Sequence, residues 1–168
     1  MAVRPIVIYG DPVLREVSKN VEHFDDELKN LVSDMADTLK DANGLGLAAV
    51  QIGVPLRLFI VDLSAIDITE KLRVFVNPEI LETENDCEYE EGCLSFPGIY
   101  QKIIRPADVR VKAFDVNGEE FEMKISGMAA RAILHEYDHI EGKLFIDHMS
   151  SMTKTMLSGK LKKLSHAS

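Results

Sequence analysis

Residues 135–139 read His-Glu-Tyr-Asp-His, and this segment constrains the fold more than any other in the chain. In an α-helix, residues four positions apart share one face, so both imidazoles can reach one divalent metal ion. Apolar residues recur around the segment at helical spacing: Met128, Ala132, Ile133 and Ile140. This pattern predicts a buried helix, and a buried helix must be covered by other elements of the fold.

The elements predicted around this helix are two N-terminal helices, a run of strands and a C-terminal helix. The helices are expected to begin at Asp11-Pro12 and at Asp25-Asp26, and the last to span about 150–164. Strand patterns occupy residues 56–61, 72–76, 109–114 and 121–125. Because strands do not alternate regularly with helices, we expect an α+β fold, with antiparallel β-sheets packed around the central helix. The 168 residues show no linker or repeat and predict a single domain, 1–168.

Charge and composition exclude several classes of protein. The net charge of −9 argues against general binding of DNA or RNA, which needs a broad basic face. Two cysteines, Cys87 and Cys93, are too few for a disulfide framework or a four-cysteine zinc module. No apolar run approaches the ~18 residues of a membrane helix, and the N-terminus lacks a signal-peptide pattern. We therefore expect a cytoplasmic protein without a membrane span.

The two histidines alone leave open both a metal site and ordinary core packing, so a third ligand decides between them. No Glu follows Glu141, which excludes the third ligand of thermolysin-like enzymes, and Phe145 stands where metzincins have their third histidine. Asp147 and His148 remain open as ligands. Cys93 is the upstream candidate, because a thiolate with two imidazoles leaves a fourth position for water, as catalytic sites do. The alternative for Cys93 is a small buried hydrophobe.

Two more segments carry motifs that lie in a fixed order with residues 135–139. Residues 44–51 read Gly-Leu-Gly-Leu-Ala-Ala-Val-Gln, and residues 91–95 read Glu-Gly-Cys-Leu-Ser. Together the three segments resemble the G-x-G-x-A-A-x-Q, E-G-C-x-S and H-E-x-D-H motifs of bacterial-type peptide deformylases. The resemblance covers almost the whole chain, including the opening Gly-Asp-Pro-Val-Leu-Arg.

The resemblance implies a metal-dependent hydrolase that removes the N-formyl group from the formyl-methionine of newly synthesised proteins and releases formate. It also implies Cys93, His135 and His139 as ligands of one divalent metal ion per chain. Ferrous iron (Fe2+) is the usual physiological metal of the family, and Zn2+, Ni2+ or Co2+ can occupy such sites. Thiolate and imidazole suit several first-row metals, so residue types alone do not choose among them.

The resemblance further implies a role for three other residues in catalysis. Glu136 would take the proton of the attacking water and later deliver it to the departing amine. The side-chain amide of Gln51 and the backbone N–H of Leu94 would stabilise the negative charge that develops on the formyl oxygen. Taken alone, Gln51 also suits a polar position at a turn.

Further residues are implied in substrate binding. The peptide would lie as an added strand beside Gly44, Leu45 and Gly46, with Gly92 on its other side. The methionine side chain would enter an apolar slot lined by four residues: Leu94, Met128, Ala132 and His135. Met128 and Ala132 suit plain core packing equally well. Tyr100 stands near a position where many relatives carry an arginine that contacts the peptide downstream of methionine, and a tyrosine cannot supply that charge.

The C-terminal stretch 148–168 is basic, with four lysines and no acidic residue. In some relatives a basic C-terminal helix contacts the ribosome, and a solvated amphipathic helix is the alternative here. Two other functions are alternatives to a deformylase: a metallohydrolase of another amide, and a structural metal module without turnover. A structural module needs neither Glu136 nor Gln51.

Overall fold

A computed structural model describes residues 2–167. Within this range the helices are α1 (Asp26–Ala42), α2 (Gly127–Ile140) and α3 (Ser151–Ala167). The strands are β1 (Gly46–Ala48), β2 (Leu58–Asp62), β3 (Leu72–Gly92), β4 (Tyr100–Phe114) and β5 (Glu120–Ser126). The α+β class predicted from the sequence is confirmed, with α1 before the strands, α2 after them and α3 at the C-terminal end.

The strands form one antiparallel sheet in the order β1-β2-β3-β4-β5. A single sheet results because β3 is 21 residues long and pairs first with β2 and then with β4. The sequence pattern predicted only its first part, 72–76, because the acidic continuation is exposed and lacks apolar alternation. A register shift follows Val76, where Asn77 has a φ of 48° and its side chain bonds to the backbone of Val21.

The central position of α2 is as predicted. The helix packs against β1, β2, β4 and β5. Its apolar face shares one core with side chains of the sheet, and the largest members of that core are Phe59, Phe75, Ile133 and Ile140. This burial fixes the helix that carries residues 135–139.

The loop before β1 is set by the end of α1. Asp25 caps the start of this helix by accepting a hydrogen bond from the Leu28 N–H at 3.1 Å. Asn43 ends it in the left-handed conformation, with a φ of 54°. The chain thereby turns directly into Gly44 and the edge strand β1.

The terminal helices differ in detail from the sequence prediction. Residues Pro12–Arg15 form only one turn of 3-10 helix, because Glu16 returns to an extended backbone and Ser18 then bonds to the Ile140 carbonyl. The C-terminal helix ends at Ala167 and not near 164. It packs through Leu157, Leu161 and Leu164 onto a cluster that includes Phe96 and Phe145. Over the described residues, no helix has the length and apolar character needed to cross a membrane.

Candidate metal centre and catalytic site

Cys93, His135 and His139 lie close together. One ligand atom from each residue is within 4.8 Å of those of the other two. The Cys93 sulfur is 3.4 Å from Nε2 of His139. Both histidines are buried and come from successive turns of α2, while Cys93 directly follows the end of β3. The structure thus brings together the three residues that the sequence suggested as ligands.

The donor set fits a divalent transition metal. Nδ1 of His135 is bound to Glu91, which leaves Nε2 of this ring available for a metal. A thiolate and two imidazole nitrogens this close are the kind of three-donor set that holds a metal ion in catalytic sites, where a fourth position would be left for water or substrate. Asp147 and His148, which the sequence left open as ligands, lie elsewhere. Asp147 pairs with Arg15 at 2.7 Å, and His148 pairs with Asp138 at 2.7 Å.

A buried ionic cluster supports His135 from behind. The Glu91 Oε1 atom lies 2.9 Å from His135 Nδ1, and Arg105 and Arg131 both bond to the same carboxylate. Burial opposes ionisation of Glu91, but its hydrogen bonds with His135 and Arg105 outweigh it and lower its pKa to about 2. Arg105 also donates to Asp138 at 2.8 Å.

Sequence reasoning missed this cluster. The sequence motifs include Glu91 but predict no role for Arg105 or Arg131. One signal was present: Arg105 follows Ile103 at the strand period of two, so both side chains lie on the buried face of β4. A second signal was Arg131 in the apolar sequence of α2, because a buried cation requires a buried anion.

Glu136 lies beside the three ligand residues, and its carboxyl group is buried. Its Oε1 atom has no hydrogen-bond partner among the described residues. Burial raises its pKa to about 7, against the opposing effect of the nearby charges of His135 and Arg105. Gly46 lies so close that a Cβ atom there would be 2.8 Å from Glu136 Oε2. A carboxyl group in this setting can accept or deliver a proton near neutral pH.

The amide of Gln51 is held in one orientation. Its oxygen accepts the backbone N–H of Ala48 at 3.0 Å, so its nitrogen faces Ser95 and Cys93. The nitrogen is 3.1 Å from Ser95 Oγ and 3.7 Å from Cys93 Sγ. Gln51 is buried in a short 3-10 helix, Ala49–Ile52, that follows β1. The N–H of Leu94 donates to no acceptor within residues 2–167.

A cleft of about 360 Å³ opens onto these groups. Its lining includes every residue that the resemblance implied in substrate binding: Gly44, Leu45, Gly46, Gly92, Leu94, Met128, Ala132 and His135. Met128 lines the cleft and is 39% exposed, so it is not a core residue. Ala132 is buried; it belongs to the core beneath α2 and also lines the cleft. Tyr100 lines the outer part and packs so closely on Gly92 that a Cβ atom there would overlap its ring.

Comparison with known proteins was made on sequence and on structure. The family model described as "Polypeptide deformylase" matches residues 3–155. The peptide deformylase of Brucella suis is 47% identical over 165 residues, which are 98% of this chain and 94% of that protein. That of Mesorhizobium japonicum is 50% identical, with the same shares covered.

Solved structures give the same result. The crystal structure of a peptide deformylase from Legionella pneumophila superposes with a TM-score of 0.91 at 44% identity, covering 99% of this chain and 97% of that one. The enzyme from Thermus thermophilus superposes with a TM-score of 0.92 at 35% identity, covering 99% of each chain. Sequence, fold and the three motifs agree over nearly the full length. The chain therefore belongs to the polypeptide deformylase family.

Proposed function

We propose that Cys93, His135 and His139 hold the metal ion with which this chain acts as a peptide deformylase. As a member of the family, the chain is a hydrolase that removes the N-formyl group from nascent peptides. The observation that carries the assignment is the convergence of the three ligand atoms within 4.8 Å, next to a buried carboxyl group and an oriented amide. The bond cleaved joins the formyl carbon to the nitrogen of the N-terminal methionine.

The metal is one divalent ion per chain, and we assign Fe2+ as the physiological ion by resemblance to the family. Zn2+, Ni2+ and Co2+ suit the same thiolate and imidazole donors. When bound, the metal ion activates the attacking water and polarises the formyl oxygen. Burial of His135 and His139 keeps solvent away from two of the three ligands.

Glu136 transfers the proton during the reaction. It accepts a proton from the water as the new carbon–oxygen bond forms at the formyl carbon. It then delivers this proton to the amine nitrogen as the carbon–nitrogen bond breaks, so that formate and the free amino terminus are released. Burial opposes ionisation of Glu136 and raises its pKa, and a carboxyl group whose pKa lies closer to the working pH can both accept and deliver a proton.

Gln51 and Leu94 stabilise the charge on the formyl oxygen. The Gln51 amide nitrogen is already turned toward the site, because its oxygen is bound to Ala48. The backbone N–H of Leu94 is the second donor, next in the chain to the ligand Cys93. Donors that are oriented before the reaction need no reorganisation when the charge develops.

The peptide binds as an added strand along β1. This strand lies at the edge of the sheet, and among residues 2–167 it pairs only with β2, so its other side is available to a peptide backbone. Gly44, Leu45 and Gly46 contact one side of the peptide, and Gly92 contacts the other. The methionine side chain enters the slot formed by Leu94, Met128, Ala132 and His135.

The described residues act as one catalytic domain, and we place the enzyme in the cytoplasm, where nascent peptides are made. The basic helix α3 is the segment proposed to contact the ribosome. Its lysines are accompanied by no acidic residue, and its outer face exposes Met152 and Met156 at 75% and 78%.

The test is purification without oxygen, measurement of bound metal, and an assay of formate and acetate release from formyl-Met and acetyl-Met peptides. We expect release of formate only. Equal cleavage of both peptides, or no cleavage with iron or nickel bound, would contradict the proposal. Cys93→Ala should abolish metal retention, and the matched control Cys87→Ala should retain it, because Cys87 is exposed and outside the cluster.

A further inference from the structure

Arg131 is a buried cation within the helix that carries the proposed ligands. It lies on α2 one turn before His135, and its side chain is 7% exposed. Its guanidinium makes three contacts, all with groups of β3 and β4. Nη1 lies 2.6 Å from Glu91 Oε2 and 2.9 Å from the Ile103 carbonyl, and Nη2 lies 2.6 Å from the Cys87 carbonyl.

Both oxygens of Glu91 are held by these neighbours. Oε1 is 2.9 Å from His135 Nδ1 and 3.1 Å from Arg105 Nη2. Oε2 is bonded to Arg105 Nε and to Arg131 Nη1. Because Arg131 and His135 are four positions apart on one helix face, they bind the same carboxylate from one side. Arg105 binds it from β4.

Arg131 adds a second guanidinium to the cluster around Glu91. Arg105 is shared between Glu91 and Asp138, so one guanidinium faces two carboxylates. Arg131 supplies the second positive charge and bonds to no other carboxylate within the described residues. Without it, buried Glu91 would lose one of the two donors on Oε2, and Arg105 alone would hold the carboxylate against His135.

We propose that Arg131 is a positioning residue for metal binding, which acts through Glu91 to hold the His135 ring with Nε2 free for the metal. The inference rests on the proposed metal site. A carboxylate on the second nitrogen of a ligating histidine fixes the orientation of the ring, and loss of such a partner typically weakens metal binding ~10–100-fold. Arginine suits this place because its planar fork reaches a carboxylate and two strand carbonyls at once.

The test uses Co2+ as the probe, with wild-type protein, Arg131→Met and the control Arg110→Met. Arg110 lies on β4, but it pairs with exposed Glu82 and Glu122 away from the site. The measurements are the Co2+ dissociation constant, the rate of Co2+ release to a chelator, and the absorption spectrum of bound Co2+. We expect ~10–100-fold weaker binding and an altered spectrum for Arg131→Met only.

A further pair of variants separates positioning from folding. Arg131→Gln removes the positive charge but keeps an N–H donor for the strand carbonyls, so it can fold even if Arg131→Met does not. We expect the Arg131→Gln protein to bind Co2+ more weakly than the wild-type protein does. Arg131→Lys restores a cation beside Glu91 and should recover part of the affinity. A folded Arg131→Met or Arg131→Gln protein with the wild-type Co2+ affinity and spectrum would overturn the inference. A Co2+ affinity of Arg131→Lys no higher than that of Arg131→Gln would also overturn it. Formate release by the wild-type protein would still support the proposed function in those cases.

Discussion

The amide nitrogen of Gln51 lies 3.7 Å from the sulfur of Cys93, and the orientation of the amide is fixed from the opposite end. Its oxygen accepts the Ala48 N–H at 3.0 Å, which leaves only the nitrogen to face the cleft. Residues 42 positions apart in the sequence therefore meet with a donor already directed at the site. This arrangement is what an oxyanion-stabilising group requires.

Replacing Gln51 by Leu removes this donor. We expect kcat/KM for a formyl-Met peptide to fall about 10²–10³-fold, the usual cost of losing one oxyanion donor. Metal content should stay at the wild-type level, because Gln51 is not one of the three clustered ligands. The matched control Ser95→Ala removes only a neighbour of the amide and should cost less. Wild-type turnover by Gln51→Leu would refute the role of the amide.

Glu136→Gln replaces the proposed proton carrier by a neutral group of the same shape. We expect bound metal to be retained, while formate release falls by about 10²–10⁴-fold, the contribution typical of a general acid–base residue. Metal analysis and a single-turnover formate assay on the same sample check both parts. A fully active Glu136→Gln enzyme would assign the proton transfer to another group.

Gly46→Ala tests the close contact between β1 and the carboxyl group of Glu136. The added Cβ would lie 2.8 Å from Oε2 and 3.0 Å from Cγ, so the buried carboxyl group must move. A displacement of ~1 Å can cost about 10²-fold in rate, and we expect a loss of that order in kcat. Gly159→Ala, in open space on α3, is the matched control and should leave kcat unchanged.

The stability of the metal-free protein should depend on the ionisation of Glu91. Its pKa falls from an ordinary 4.5 to about 2 on folding, so the ionised group stabilises the fold by about 3 kcal/mol above pH 4.5. Because the folded pKa is the lower one, this contribution is lost as the pH falls from 4.5 towards 2. This contribution is measured by urea unfolding of the wild-type and Glu91→Gln proteins in the presence of a chelator.

The difference in free energy of unfolding between wild type and Glu91→Gln should narrow as the pH falls through this range. Glu88→Gln on the same strand is the control, because Glu88 is exposed and should show no such change. A difference that stays constant from pH 7 to pH 2 would contradict the pKa assigned to Glu91.

The sequence predicted the parts of the site that local patterns encode. Helical spacing placed His135 and His139 on one face, and the motif around Cys93 supplied the third residue of the cluster. The length of β3 was not predictable from alternation, because its residues 82–90 are exposed on both faces. An arginine in the apolar sequence of α2 indicates a buried anion, but only the tertiary structure identifies Glu91, 40 residues away, as that anion.

X-ray absorption at the zinc edge of the Zn2+-loaded protein tests the central claim most directly. The proposed site predicts one sulfur near 2.3 Å and two imidazole nitrogens at about 2.0–2.1 Å, together with one further light ligand. The Cys93→Ala protein should retain no zinc and therefore give no zinc-edge signal, and the Cys87→Ala protein should keep the sulfur contribution. A zinc shell with two sulfurs, or with none in the wild-type protein, would contradict the assignment of Cys93, His135 and His139 as the metal ligands.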